Sequence, residues 1–222
     1  MSSSINKTKI ILASQSPRRR KLLSLMIRNF TVKPAKIDES ISSLESAKYH
    51  ASRLAKNKSH KIANHVDQED IVIGADTIVT YENTILGKPS NKHEAFQMLK
   101  TLNGKTHKVI TALSIHTNKS KTIIDTCCET NVQIRNMSDE EINSYIDTND
   151  PMDKAGSYSI QNKTFKLGHT PNGCLANVIG LPLCHLANTF NKLDTKIDNS
   201  IAEKCQSYIN YDCPVSESIL KQ

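Results

Sequence analysis

The segment Ser14-Gln15-Ser16-Pro17-Arg18-Arg19-Arg20 gathers hydroxyls and guanidinium groups directly after a short apolar run at residues 10–13. That order predicts a strand, a tight turn and a helix. Ser16 falls where an N-cap belongs and Pro17 at the first helical position. The free N–H groups of a helix start favour an anion, and arginine adds forked, charge-assisted donors suited to phosphate. The chemistry is that of a phosphate cradle, although an ordinary basic first turn has the same composition.

Further along, Asp76 follows the apolar run Ile71-Val72-Ile73-Gly74-Ala75 and is read as ending a buried strand, where α/β sheets gather their ligands. There it could bind a divalent cation, orient water or accept a proton, or simply cap the turn. Glu39, in a polar loop, could join Asp76 around a hard cation whose shell substrate phosphates complete. Lys88, held between Gly87 and Pro89, and Lys58, on a helical face, are candidate phosphate contacts. Gln161 can present both a donor and an acceptor, a pattern matched to a pyrimidine edge, and Thr77 and the arginines could add to it. The eight histidines show no His-Glu-x-x-His spacing. Phosphate-binding loops of the Gly-x-x-x-x-Gly-Lys-Ser/Thr type, dinucleotide glycine fingerprints and Gly-x-Ser-x-Gly elbows are absent from the sequence.

The elements that must position these groups alternate. Helical spacing spans residues 44–62 with Ala47, Ala51, Leu54, Ala55 and Lys58 on one face. Residues 107–116 and 122–135 flank the turn Asn118-Lys119-Ser120 and predict an antiparallel pair. Ser138-Asp139-Glu140-Glu141 reads as a capping box. A final core helix runs to about Leu193, and the polar stretch beyond it reads as a loosely attached extension. Units of βα type mixed with an antiparallel section imply an α/β fold with a mixed sheet.

At 222 residues and a formal charge of +7, the chain is long enough for one sizeable core and suits anionic partners. Its lysines are scattered and aromatics few, which argues against a dedicated nucleic-acid surface. No apolar run approaches the roughly 20 residues of a membrane span. Residues 1–7 lack the apolar stretch of a secretory signal, so a cytoplasmic protein with six free thiols is expected.

Taken together, the segments resemble the Maf family of nucleotide pyrophosphatases, named from a link to septum formation. The matching pieces are Leu12-Ala13-Ser14-Gln15-Ser16-Pro17-Arg18-Arg19, Asp38-Glu39, Arg53-Leu54-Ala55 with Lys58, Gly74-Ala75-Asp76-Thr77 and Leu86-Gly87-Lys88-Pro89. They continue through residues 98–104 with His107, Asp153-Lys154-Ala155-Gly156-Ser157-Tyr158 with Gln161, and Val178-Ile179-Gly180-Leu181-Pro182. The resemblance covers about residues 9–193. It implies a mixed, elongated sheet flanked by helices in two lobes around a substrate cleft (Maf/ITPase-like), as a domain over 1–195 with a polar extension over 196–222. It also implies hydrolysis of a nucleoside triphosphate to the monophosphate and pyrophosphate with a divalent metal (Mg²⁺, Mn²⁺ or Co²⁺), and leaves a homodimer open. In that family the residue at Asp76 is the proton acceptor. Those at Ser14, Arg18, Glu39, Lys58 and Lys88 line the site, and those at Arg18, Thr77 and Gln161 bear on base choice. Arg19 is expected to support the turn beside the substrate, with Glu39 and Asp76 at the metal. The Asp-Lys-Ala-Gly…Gln form resembles the branch acting on dTTP and UTP. A branch acting on 7-methyl-GTP, and a non-enzymatic nucleic-acid-binding or division-regulating protein on the same fold, are the alternatives. Ser159 and Asn162 depart from the glycines usual beside the glutamine, residues 169–176 are less regular, and the tail has no counterpart.

Overall fold

The computed structural model describes residues 8–42, 45–118, 121–170, 172–193, 195 and 200–221. Residues 1–7 and the tip of the 118–120 turn, read above from sequence, lie outside the described residues. The strands are β1 (Ile10–Leu12), β2 (Thr31–Val32), β3 (Ile71–Tyr81), β4 (Thr84–Leu86), β5 (Thr106–Thr117), β6 (Thr122–Ile134) and β7 (Gly168–His169). The helices are α1 (Pro17–Met26), α2 (Ala47–Ala63), α3 (Lys92–Leu102), α4 (Asp139–Asp147), α5 (Leu175–Ile179), α6 (Leu183–Asn191), α7 (Ile201–Ile209) and α8 (Ser216–Leu220). One seven-stranded sheet runs in the order β2-β1-β3-β5-β6-β7, with β4 beside β3. β2, β1 and β3 are parallel; β4, β5, β6 and β7 join by antiparallel pairing. The mixed α/β sheet expected from the element order is what forms.

The edge of β3 is interrupted. β1 pairs with it only up to Ile73, and β4 pairs with it only from Val79 onward. Residues 74–78 therefore have no strand partner on that side among the described residues. This gap opens the sheet in mid-strand, and it corrects one expectation from sequence. Asp76 does not end a strand; it sits within β3, opposite Ala112 of β5. The strand continues because Val79 serves a second core on one face and Ile78 packs under α2 on the other, as Ile71 and Ile73 serve the first core.

Side chains alternate along β3, β5 and β6. One face carries two apolar clusters in sequence. Ile71, Ile73, Ala75, Leu113 and Ile115 pack with α1, α5 and α6. Val79, Val109, Val132 and Ile134 pack with α3 and α4. These two cores, strung along the same long strands, are the two lobes. The opposite face is covered by α2, whose Ala51 and Ala55 meet Ile78, Ile110 and Ala112.

Helix α2 lies unusually close to β3 because Gly74 has no side chain. A Cβ at that position would stand 2.1 Å from the Ala55 carbonyl oxygen and 2.8 Å from the Ser59 nitrogen, both backbone atoms. Gly74→Ala must push α2 outward, so we expect a loss of about 1–3 kcal/mol, visible as a lower urea midpoint with an unchanged slope.

The C-terminal stretch also differs from its reading as loosely attached. Beyond residues 196–199, which lie outside the description, α7 and α8 pack onto the first lobe. Ile201 and Cys205, one helical turn apart, are buried there, as is Ile219. The apolar face is only one residue wide per turn, and the lysines, glutamates and glutamines between conceal it.

Buried histidine sets an acid limit. His107 on β5 is 3% exposed and bonds through Nε2 to the Tyr158 hydroxyl at 2.7 Å. Burial pushes its pKa down to about 4. The unfolded chain takes up this proton near pH 6.5, so the stabilisation is present above pH 6.5 and is lost as pH falls from 6.5 towards 4. It amounts to at most about 3 kcal/mol. His116 and His185, lowered mainly by burial, act in the same direction. Urea melts between pH 7 and pH 4.5 should show this slope, and His107→Gln should flatten it.

Candidate active site

A cavity of about 900 Å³ opens at the gap in β3 and is lined by both lobes. Ser14, Arg18, Arg19, Glu39, Lys58, Asp76, Thr77, Lys88 and Gln161 all line it. The early basic turn and the carboxylate of β3 thus face one space, because the open edge gives access to both sides of the strand. Asp76 points to the α2 side and Thr77 to the other.

The turn after β1 is built as its residues dictate. Ser16 caps α1 by accepting from the Arg19 nitrogen, and Pro17 begins the helix. Ser14 Oγ accepts from the Ser16 nitrogen at 3.3 Å and from the Arg19 guanidinium at 3.2 Å. A hydroxyl has two lone pairs and one proton, so these bonds leave the Ser14 proton to be donated into the cavity.

The three arginines separate by direction. Arg19 turns inward, donating to the Gly180 and Ala75 carbonyl oxygens, Ser14 Oγ and Thr77 Oγ1 at 2.9–3.2 Å. Four of its five N–H groups are therefore committed to protein. Burial pulls its pKa down, opposed by the Asp76 carboxylate. Arg18 points to the cleft mouth and pairs at 3.4 Å with Asp153 of the facing lobe. Arg20 is exposed and does not line the cavity.

Behind Arg19 a polar seam crosses the sheet between the two apolar clusters. Thr111 Oγ1 donates to the Asn177 carbonyl oxygen at 2.9 Å. The Thr77 hydroxyl, 2.9 Å away, must then give its proton to Thr111. The Asn177 amide continues to Thr130 Oγ1 and the Val109 carbonyl. Thr77, expected from sequence near the base, spends its proton holding this seam and one lone pair holding Arg19.

On the other side, Lys58 comes from the buried face of α2 and its Nζ lies 2.6 Å from both Asp76 Oδ1 and Glu39 Oε1. Lys58 and Asp76 are nearly buried, whereas Glu39 is half-exposed. Partial burial pushes the Glu39 pKa up, but Lys58, with Lys88 and Arg19 in support, outweighs it and holds the carboxyl below the usual range. Two carboxylate oxygens thus converge on one cationic centre. That donor chemistry fits a hard divalent cation, which takes about six oxygens. Among the described residues no group of three or more acidic, histidine or cysteine side chains gathers for a metal. Glu39 and Asp76 would supply two ligands, leaving the others to water and phosphate.

Lys88 is exposed at the end of the β4 loop, and Gln161 is exposed in the turn that follows two 3-10 turns at Asp150–Asp153 and Ala155–Ser157. Tyr158, Ile160, Val178 and Ile179 add an apolar wall. The sequence reading missed the Arg18–Asp153 pair across the cleft; it is a contact over 135 positions with no local signal.

The family model described as Maf-like protein matches residues 9–193. The chain belongs to the Maf-like protein family. Among curated members, it is 48% identical over 177 residues to the dTTP/UTP pyrophosphatase of Alkaliphilus oremlandii, covering 80% of this chain and 92% of that protein. It is 43% identical to the dTTP/UTP pyrophosphatase of Caldicellulosiruptor bescii over 83% of this chain and 94% of the relative. The Bacillus cereus protein of the same name is 41% identical over 86% of this chain and 99% of its own length. The cavity residues all fall inside the Maf-like match, and α7 and α8 fall beyond it. No helix among the described residues is long and apolar enough to cross a membrane.

Proposed function

We propose that this cavity hydrolyses dTTP and UTP, modified pyrimidine nucleotides included, to the monophosphate and pyrophosphate. The observation that carries the reading is the convergence of Asp76 and Glu39 on one cationic centre, in the same cavity as the Ser14–Arg18 turn. The names of the relatives support the substrate class.

Glu39 and Asp76 are the residues that would hold a divalent cation, Mg²⁺, Mn²⁺ or Co²⁺. Such a cation neutralises phosphate charge and makes bound water more acidic. The triphosphate enters with its charge facing the N-terminus of α1, where the Ser14 hydroxyl donates and Arg18 exchanges Asp153 for phosphate oxygen. Asp76 accepts the proton of the water that attacks the α-phosphorus. Lys58 and Lys88 stabilise the charge that develops on the departing pyrophosphate. Arg19 and Thr77 act as positioning residues: they fix Ser14 and the β3 edge against the Gly180 corner. Gln161 reads the pyrimidine edge with its paired donor and acceptor. Gln161→Glu replaces that donor with a second acceptor, so kcat/KM for UTP and dTTP should fall at least about 10-fold, while unchanged ratios across nucleotides would remove Gln161 from base recognition. The six free thiols support a reducing, cytoplasmic setting.

The reading is tested with a panel of nucleoside triphosphates, 7-methyl-GTP among them, supplied with each of the three metals and with pyrophosphate separated from orthophosphate. We expect dTTP and UTP to lead and pyrophosphate to be the product. A preference for 7-methyl-GTP, or release of orthophosphate, would overturn it, as would salt-steep nucleic-acid binding without turnover.

A further inference from the structure

The stretch beyond the Maf-like match brings two cysteines back to the domain. Cys205 on α7 and Cys213, ahead of α8, meet Cys174 and Cys184, and these four line one small cavity of about 10 Å³, no larger than a water molecule. Cys128 of β6 borders the same cluster. Cys128, Cys174, Cys184 and Cys205 are 4–6% exposed, while Cys213 is partly open to solvent. Cys213 Sγ lies 3.9 Å from the Gly173 carbonyl oxygen, which Tyr211 also clasps at 3.0 Å. Gly173 directly precedes Cys174, so the Cys213 thiol stands beside Cys174 in the wall of that cavity. Among the described residues the cluster does not offer three ligands to a metal ion, so its chemistry is that of paired thiols.

We infer that Cys174 and Cys213 are a modification site that closes to a disulfide, stapling the C-terminal helices to the domain, with a small disulfide such as oxidised glutathione as the oxidant. The Cys213 thiolate attacks the small disulfide, forming a mixed disulfide and releasing one small thiol. The Cys174 thiolate then attacks the Cys213 sulfur, forming the internal bond and releasing the second thiol. Two protein thiols lose two electrons and two protons, and one small disulfide becomes two small thiols. The neighbouring Cys174 thiol, then burial, raises the Cys213 pKa, and the neighbouring thiol of Cys128 leads the rise at Cys174. Exchange is therefore slow at neutral pH and faster in alkali, so the staple forms under sustained oxidation. It closes a loop of about 40 residues and restrains the unfolded chain. It also ties down Cys174, the N-cap residue just ahead of α5, whose Val178 and Ile179 line the proposed nucleotide cavity.

The test incubates the full chain with oxidised glutathione at pH 8.5, blocks free thiols, maps peptides without reduction and records thermal melts. We expect a Cys174–Cys213 cross-linked peptide and a Tm higher by about 5 °C or more, both reversed by dithiothreitol. Cys205→Ser should retain the cross-link and Cys213→Ser should lose it. A Cys213 left as the glutathione adduct, a Cys128–Cys174 bond in its place, or an unchanged Tm would each overturn the inference. Because the map is read on the unsubstituted chain, a variant that fails to fold does not decide it. Nucleotide turnover plays no part in the readout.

Discussion

Asp76→Asn should fold and bind nucleotide but release pyrophosphate about 10²–10⁴ times more slowly than the unsubstituted chain, the range that a positioned general base supplies. The substitution keeps the shape, and the Asn oxygen can still accept from Lys58 Nζ, which lies 2.6 Å from Asp76 Oδ1. Lys58 also keeps its 2.6 Å contact with Glu39. What disappears is the negative charge at the gap in β3, and with it both the proposed proton acceptor and one of the two carboxylates facing the cationic centre. Circular dichroism and a melt would confirm the fold, and a pyrophosphate assay would give kcat. Near-native turnover in a folded Asn variant would remove Asp76 from the chemistry.

Arg19→Ala should cost about 3–5 kcal/mol of stability, whereas Arg18→Ala should cost less than about 1 kcal/mol and act mainly on KM. The two residues are adjacent in sequence and opposite in role. Truncating Arg19 strips a donor from two carbonyls and two hydroxyls at the junction of α1, β3 and the Gly180 corner. Unsatisfied buried acceptors carry their full desolvation cost, and the loss resembles that of breaking a buried charge network. In a chain of this length the melting temperature should drop by roughly 10 °C. Arg18 has a single exposed partner at 3.4 Å, and pairs of that kind contribute little. Equal destabilisation by the two substitutions would contradict the division between a positioning arginine and a phosphate-facing one.

That division shows how far the sequence could be read. The Ser16-Pro17 start of α1 was legible because capping is local, and so was the buried face of α2 that carries Lys58. Consecutive residues on a helix point about 100° apart, so the run of three arginines had to diverge. Which of them turns inward depends on Gly180 and Thr77, far along the chain. The position of Asp76 was misjudged for a related reason. The end of an apolar run looks like the end of a strand, but here it marks the passage from one core to the next along a single strand. The break that exposes Asp76 belongs to its neighbours: β1 stops pairing at Ile73 and β4 starts pairing at Val79. The tail was undervalued because Ile201 and Cys205 give only a narrow apolar stripe, and because its cysteines find their partners 21 or more positions away, in space rather than in spacing.

The proposed step is attack at the α-phosphorus by a water that Asp76 deprotonates. Turnover of UTP and dTTP in ¹⁸O-enriched water, with both products analysed by mass spectrometry, addresses it directly. We expect one ¹⁸O atom in the nucleoside monophosphate and none in pyrophosphate. Label appearing in the pyrophosphate would place the attack at the β-phosphorus and contradict it.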